Sequence, residues 1–242
     1  MSCMMVNEAF PIIVQDAMKL NIALPPKAEA AFRAYYEFLE LHGEKVNLTA
    51  ISGAEEVARL HFLDSIALLK ATNFKKKRVI DVGSGAGFPG VPLKIAEPSI
   101  ELTLLEATGK KAVFLTELCD RLNIEAACLN ERAEEAAHDS SKREVYDIAV
   151  SRAVARLNVL CELCLPFVGV GGIFIAMKSI GSDDEIEEAK RAIVALGAEI
   201  HKNCDYCIPG TDIVHRAVLI QKTTNTPDNY PRRFARIQKC PL

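Results

Sequence analysis

The sequence predicts an α/β fold: a mostly parallel sheet with helices on both faces, preceded by a helical extension and closed by an antiparallel hairpin. Three observations carry this. After Lys77, short apolar runs alternate with longer amphipathic segments, the β-α-β-α order that builds a parallel sheet. Runs such as "DIAV" (147–150) and "IFIAM" (173–177) carry continuous apolar stretches, as strands buried on two sides should. Near the end, the β-like runs "EIHKNCDYCI" and "IVHRAVLIQK" flank Pro209-Gly210-Thr211-Asp212, a turn signal.

In chain order, residues 1–72 read as a helical extension. Lys27 to Leu41 carries Ala, Phe, Tyr and Leu at helical spacing. A second helix is expected after Ser52, an N-cap with Glu55 closing a capping box, and it repeats apolar residues at Val57, Leu60, Leu63 and Ala67. Asn73 ends that region. A sheet domain over 73–222 follows, with strands expected at 78–82, 101–105, 125–129, 146–150 and 172–177. Helices are expected at 89–96, 110–122, 133–138 and 157–165, and an acidic-start helix at 183–196. Residues 223–242 hold three of the eleven prolines and several cations, and are expected to form a loosely structured basic tail.

Composition narrows the function classes. With 50% hydrophobic and 25% charged residues over 242 positions, the chain has the balance of a globular protein with a sizeable core. The opening residues carry no basic leader and include Glu8 and Asp16. The longest apolar run, Leu163 to Met177, is broken by Pro166 and three glycines, and it is shorter than the ~20 residues a spanning helix needs. Eight cysteines point to a reducing compartment, so a cytoplasmic location with no membrane partner is expected. The pairs Cys161/Cys164 and Cys204/Cys207 are too far apart for a zinc ribbon, and the first sits in a helical pattern as small core residues, so no metal site is expected. A net charge of −3 argues against indiscriminate coating of nucleic acid, while basic clusters at Lys75-Lys76-Lys77-Arg78 and at Arg232-Arg233 leave room for a local cationic face.

The stretch "VIDVGSGAGFPG" (79–90) feeds a strand into a glycine-rich turn and then a helix, the place where ligands of doubly wound folds bind. Gly83, Gly85 and Gly87 let the backbone approach a ligand. The spacing G-S-G-A-G departs from the dinucleotide fingerprint, and no Lys-Ser or Lys-Thr follows to make a P-loop. Asp81, just before the turn, would repel a pyrophosphate but suit the amino group and sulfonium of S-adenosylmethionine. Glu106 ends the next strand and can accept from both ribose hydroxyls, which indicates an adenosine without choosing the cofactor. Ala133 and Glu134 fall near the expected adenine edge, or form an ordinary acidic helix start. A nicotinamide-dependent oxidoreductase shares the turn and Glu106, and stays as a rival.

Several separated stretches resemble, in order, the bacterial 16S ribosomal RNA guanine-N7 methyltransferase family, also known as the glucose-inhibited division protein B family. They are "NLTAI" (47–51), "HFLDSI" (61–66), "DVGSGAGFPG" (81–90), "SRAVARL" (151–157) and "YPRR" (230–233). The resemblance implies a Class I S-adenosylmethionine-dependent methyltransferase fold, Rossmann-like, with a seven-stranded sheet whose last strand is antiparallel. It implies S-adenosylmethionine as the donor cofactor and a guanine of 16S rRNA in the 30S ribosomal subunit, not DNA, as acceptor. By position, Gly83, Phe88, Ala133, Glu134 and Arg152 match residues that the family uses around the donor, and Glu106 and Ala107 line the same pocket in such folds. The chain has no Trp, although the family often has one before "NLTAI", and its tail reads "RRFARIQK" where more glycine and proline are usual. A ribosome-assembly factor with a vestigial cofactor pocket is the second rival.

Guanine N7 carries a free lone pair and needs no deprotonation before attack, so alignment can do most of the work. In keeping with that, Ser151-Arg152-Ala153-Val154 stands where amino-group methyltransferases carry an N/D-P-P-Y/F segment. Arg152 is the expected catalytic residue, able to hold a carboxylate, a phosphate or guanine O6, or simply to pair with a nearby acid. His61 and Asp64, three apart on a helix, are expected to fasten the extension over the pocket, with Asn47 and Thr49 in the same lid. Lys178, Arg216, Arg232 and Arg233 are the expected RNA contacts.

Overall fold

The computed structural model describes residues 3–46, 51, 53–152 and 155–242. The expected lid residues Asn47 and Thr49, the expected cap Ser52, and Ala153-Val154 lie outside them. The extension begins with α1 (Cys3–Lys19) and α2 (Ala28–Val46). It continues through an unbroken helical rod: α3 (Ala54–Val57), a π-helical segment Ala58–Leu63, α4 (Asp64–Ile66) and a 3₁₀ turn Ala67–Lys70. The wide π turn brings the consecutive residues His61, Phe62 and Leu63 all into the interior, a broader buried face than a regular α-helix presents.

Seven strands follow: β1 (Arg78–Val82), β2 (Glu101–Leu105), β3 (Ala126–Leu129), β4 (Tyr146–Arg152), β5 (Val168–Ser179), β6 (Ala198–Cys207) and β7 (Val214–Lys222). Their order is β3-β2-β1-β4-β5-β7-β6. The first five pair in parallel, and β7 runs antiparallel to both neighbours. Strand order reverses between β1 and β4, so the crevice outside their carboxyl ends is the topological switch point. Strand β5 starts four residues earlier than its apolar run suggests. Its glycines read as breakers, but a Cβ at Gly172 would lie 2.6 Å from the Asp147 carbonyl oxygen, so glycine is what lets β4 and β5 close up there.

The helices α5 (Gly90–Ala96) and α6 (Gly109–Leu122) share one face of the sheet with the extension; Phe10, Phe32, Tyr35 and Phe62 belong to the same buried cluster as Val79 and Leu104. The other face is covered by α7 (Ala133–Ala136), α8 (Leu157–Cys164), α9 (Asp183–Ala195) and α10 (Phe234–Lys239). Cys161 and Cys164 are fully buried in that second core.

The C-terminal segment is not the loose tail its composition suggests. It ends in α10, whose Ile237 is fully buried. Arg143 donates to the carbonyls of Thr226 and Tyr230 at 2.8 and 2.9 Å. Lys222, itself buried, donates to the Leu165 carbonyl at 2.9 Å and pairs with Glu144 at 3.0 Å. These partners are remote in sequence, so prolines and charges that look like a solvated tail are satisfied against the sheet domain.

Gly87 (φ +100°) shows how closely the extension meets the sheet, because a Cβ there would lie 2.6 Å from the Tyr35 hydroxyl. Gly87→Ala is expected to destabilise the protein by about 1–3 kcal/mol through overpacking and backbone strain. Urea unfolding of the two proteins measures it.

Candidate active site

The glycine turn after β1 is held from three sides. The N–H groups of Gly83 and Ser84 donate to the Leu105 carbonyl at 2.9 and 3.2 Å, fixing the turn to the end of β2. Gly85 N–H donates to Glu106 Oε2 at 3.0 Å. From the extension, the Tyr35 hydroxyl donates to the Ala86 carbonyl at 2.5 Å. Gly85 adopts φ +57°, and a Cβ there would meet nothing nearer than the Gly83 carbonyl oxygen at 3.9 Å, a geometry that lets a backbone face a ligand.

Two cavities meet at this turn, and Gly85 lines both. The first, about 350 Å³, is walled by Gly83, Gly85, Glu106, Ala107, Ala133 and Glu134, together with Leu160, Leu163 and Phe234 from the opposite face. Glu106 is buried and held by two backbone donors, Gly85 and Thr108 (2.8 Å to Oε1), which leaves its other lone pairs fixed in direction. Glu134 Oε1 accepts from Arg132 Nε at 2.5 Å. The second cavity, about 470 Å³, is lined by Phe88, Arg152, His61, Asp64, Lys178 and His215.

Arg152 forms the floor of this second cavity. Its guanidinium sits 4.7 Å from the Phe88 ring centroid. It donates to His61 Nδ1 at 3.1 Å and to the Leu60 carbonyl at 3.3 Å, and pairs with Asp64 Oδ2 at 3.4 Å. The expected pairing with an acid therefore exists alongside a position in the cavity. Asp64 is buried and also accepts from the Tyr206 hydroxyl and His215 Nδ1, each at 2.8 Å. His61 Nδ1 lies equally close, 3.1 Å, to the Leu60 carbonyl, which only accepts, and to the Arg152 guanidinium, which only donates; burial and then the Arg152 charge push its pKa down to about 4. The hydrogen bond to Asp64 raises the pKa of His215.

Several expected roles need correction. Asp81 is fully buried behind the turn and lines neither cavity; its Oδ2 accepts Gly90 N–H at 2.8 Å, so it pins the turn to α5. Its Oδ1 is buried without a hydrogen-bond partner. Gly87 faces Tyr35 and Val91, not a cavity. Lys178 donates to the Ala155 carbonyl at 2.7 Å and pairs with Glu185 at 2.6 Å. Arg216 pairs with Asp205 at 2.6 Å and Asp183 at 2.5 Å. Arg232 grips the buried Glu162 with its backbone N–H (2.8 Å) and its guanidinium (2.6 Å). These three cations are neutralised within the fold, so a phosphate would have to displace their partners; Arg233 alone of the four expected RNA contacts is exposed.

Sequence reasoning missed Tyr206 and His215. Both lie on the terminal hairpin and face each other across it, at paired positions in the β6–β7 register. Their signal was the hairpin itself: the turn at 209–212 sets which residues stand opposite. It also missed Phe234, because its segment read as a tail.

A family model described as GidB, rRNA small subunit methyltransferase G, matches residues 28–208. The ribosomal RNA small subunit methyltransferase G of Thermoanaerobacter sp. (strain X514) is 42% identical over 240 residues, covering 98% of this chain and 100% of the relative. That of Pelotomaculum thermopropionicum is 44% identical over 232 residues, covering 95% and 97%. Among solved structures, the ribosomal protein L11 methylase from Lactobacillus delbrueckii subsp. bulgaricus superposes with a TM-score of 0.50 at 13% identity, covering 72% of this chain and 81% of that one. That likeness shows the fold.

Burial pushes the Asp81 carboxyl up to about 7, from an ordinary aspartate value. Between roughly pH 4 and 7 the folded protein therefore keeps a proton that the unfolded chain has released. This contribution to stability is complete below about pH 4 and is lost as the pH rises through 7. Asp81→Asn should remove it: relative to that variant, the wild type loses on the order of 2–4 kcal/mol across the window. Denaturant unfolding of both proteins from pH 4 to 8 measures the difference.

Proposed function

The chain belongs to the rRNA small subunit methyltransferase G family, and from that premise we propose how its two cavities divide the reaction. The reaction is S-adenosylmethionine-dependent methylation of guanine N7 in 16S ribosomal RNA. The observation that carries the division is that Gly85 walls both cavities, so the turn is the place where donor and acceptor meet.

The smaller cavity takes the donor. Glu106, with two backbone donors holding it in place, accepts from the ribose hydroxyls, while Ala107, Ala133 and Glu134 border the adenine. The backbone at Gly83 and Gly85 passes close to the donor without side chains in the way. The cavity lining is net acidic, with Glu106, Glu131 and Glu134 against Lys111 and Arg132, which suits a cationic donor, and membership of a methyltransferase family sets aside the dinucleotide reading. When bound, S-adenosylmethionine supplies an electrophilic methyl group on a positively charged sulfur.

The larger cavity takes the guanine. Phe88, buried between the Tyr35 and His61 rings at 5.3 and 4.5 Å, is a rigid apolar wall, and Arg152, held over that ring and braced on Asp64 and His61, directs the base. N7 has its lone pair free, so holding the base in line and keeping water out is enough. A base splayed from a loop can reach such a cavity, whereas A-form major grooves are closed to side chains. The partner is the 30S subunit or its 16S rRNA, which puts the protein in the cytoplasm; no described helix is long and apolar enough to cross a membrane.

Incubation with labelled S-adenosylmethionine and small subunits lacking the modification, in parallel with naked 16S rRNA, followed by mapping of the labelled base, tests the reading. Label on guanine N7 supports it; donor binding with no transfer to either RNA form favours the assembly factor. Arg152→Ala is expected to lower single-turnover methylation by about 100-fold or more, because misplacement of this size costs that much when alignment is the main device. Unchanged circular dichroism would show the fold intact, and a near-normal rate would reject the assignment.

A further inference from the structure

The C-terminal helix α10 has two faces with different chemistry. Phe234 and Ile237 point inward: Ile237 is fully buried and Phe234 walls the smaller cavity. Arg233, which caps the helix, and Arg236 and Lys239 within it are all exposed. The Arg132 guanidinium lies 4.9 Å from the Phe234 ring centroid and its Nε is 2.5 Å from Glu134 Oε1. Phe234, Arg132 and Glu134 thus form a layered side-chain series from α10 to the expected adenine edge.

We propose that α10 is a latch: its inner face closes the adenosine end of the donor cavity through Phe234, and its exposed cations Arg233, Arg236 and Lys239 receive the RNA backbone, so that RNA docking tightens donor binding. The proposal rests on reading the smaller cavity as the donor site.

The physical argument starts from length. At six residues, α10 is far too short to be stable alone, so its position depends on tertiary anchors. Those anchors are the Arg232–Glu162 pair before it, Ile237 within it, and the His138 Nε2 contact to the Pro231 carbonyl at 2.9 Å. A segment held by a few contacts opens at lower free energy than the sheet it covers. Opening lifts Phe234 from the cavity. Cations on the outer face attract phosphates and, once bound, favour the seated state; whatever favours that state favours the donor equally, because linkage is reciprocal. Between α7 and α10 lies a cleft of about 600 Å³ lined by Arg132, His138 and Arg233 together with Glu134 and Glu135.

The test is calorimetric and uses S-adenosylhomocysteine, 5′-methylthioadenosine and unmethylated small subunits. Phe234→Ala should weaken both small ligands by about the same factor, tenfold or more, since both carry the adenosine that an aromatic wall contacts. If the alanine variant fails to fold, Phe234→Leu keeps the apolar packing and should still weaken both at an unchanged melting temperature. The triple variant R233E/R236E/K239E should bind S-adenosylhomocysteine like the wild type, bind small subunits with a shallower salt dependence, and lose the tightening of S-adenosylhomocysteine that small subunits produce in the wild type. Folded Phe234 variants with wild-type affinity for both ligands would overturn the donor half of the proposal. A triple variant with unaltered salt dependence would overturn the RNA half, and a wild type whose S-adenosylhomocysteine affinity ignores small subunits would overturn the coupling. A wild type that binds neither small ligand would instead overturn the donor reading itself, and the proposal with it.

Discussion

The buried carboxylate of Asp64 is the interaction on which the larger cavity depends. Its two oxygens take the Tyr206 hydroxyl, the His215 ring and the Arg152 guanidinium. Those donors come from β6, β7 and β4, while Asp64 itself sits just past the π-helical segment of the extension. One side chain thus ties together four elements that the chain order keeps apart. Removing one partner from such a buried charged set typically costs about 3–5 kcal/mol, because the remaining charge is left without a counterpart. The same energetics make the arrangement stiff, and stiffness is what a site needs if it works by alignment.

Glu106 repeats the device at the smaller cavity, with backbone N–H groups in place of side-chain donors. Asp81 repeats it less completely, with one oxygen on Gly90 N–H and the other unpartnered in the interior. All three carboxylates stand near the carboxyl edge of the sheet, and each fixes the geometry of something beside it: Asp64 the arginine, Glu106 the glycine turn and Asp81 the start of α5. Acids that look in sequence like direct ligand contacts thus spend part or all of their hydrogen bonding on internal positioning. For Asp81 the balance lies wholly there, and the residue lines neither cavity.

The fold was legible in the sequence because its signals are local. β1 and β2 begin and end where their apolar runs do, and the glycine turn sits between β1 and α5 as strand-turn-helix chemistry requires. The smaller cavity was largely legible for the same reason: Gly83, Gly85, Glu106, Ala107, Ala133 and Glu134 all lie just past strand ends. What escaped was everything set by contacts distant in sequence. Whether Lys178, Arg216 and Arg232 are free or paired depends on Glu185, Asp205 and Glu162, and no local pattern records those partners. Phe234 escaped in the same way, since a helix of six residues between prolines and cations is defined by what it packs on.

The pairing of charges also bears on which nitrogen can be methylated. An exocyclic amino group must lose a proton as it gains a methyl, so its methylation needs a proton acceptor at the site. Among the described residues of the larger cavity, such acceptors are engaged. His61 Nδ1 sits between Arg152 and the Leu60 carbonyl, Asp64 takes three donors, and the same Asp64 draws His215 toward its protonated form, which accepts nothing. Burial and the Arg152 charge hold His61 neutral and disfavour its taking up a proton. A site built this way serves a nucleophile that arrives with its lone pair already exposed. Guanine N7 is such a nucleophile, and among the described residues the electrostatics that brace Arg152 also weaken His61 as a base for the alternative chemistry.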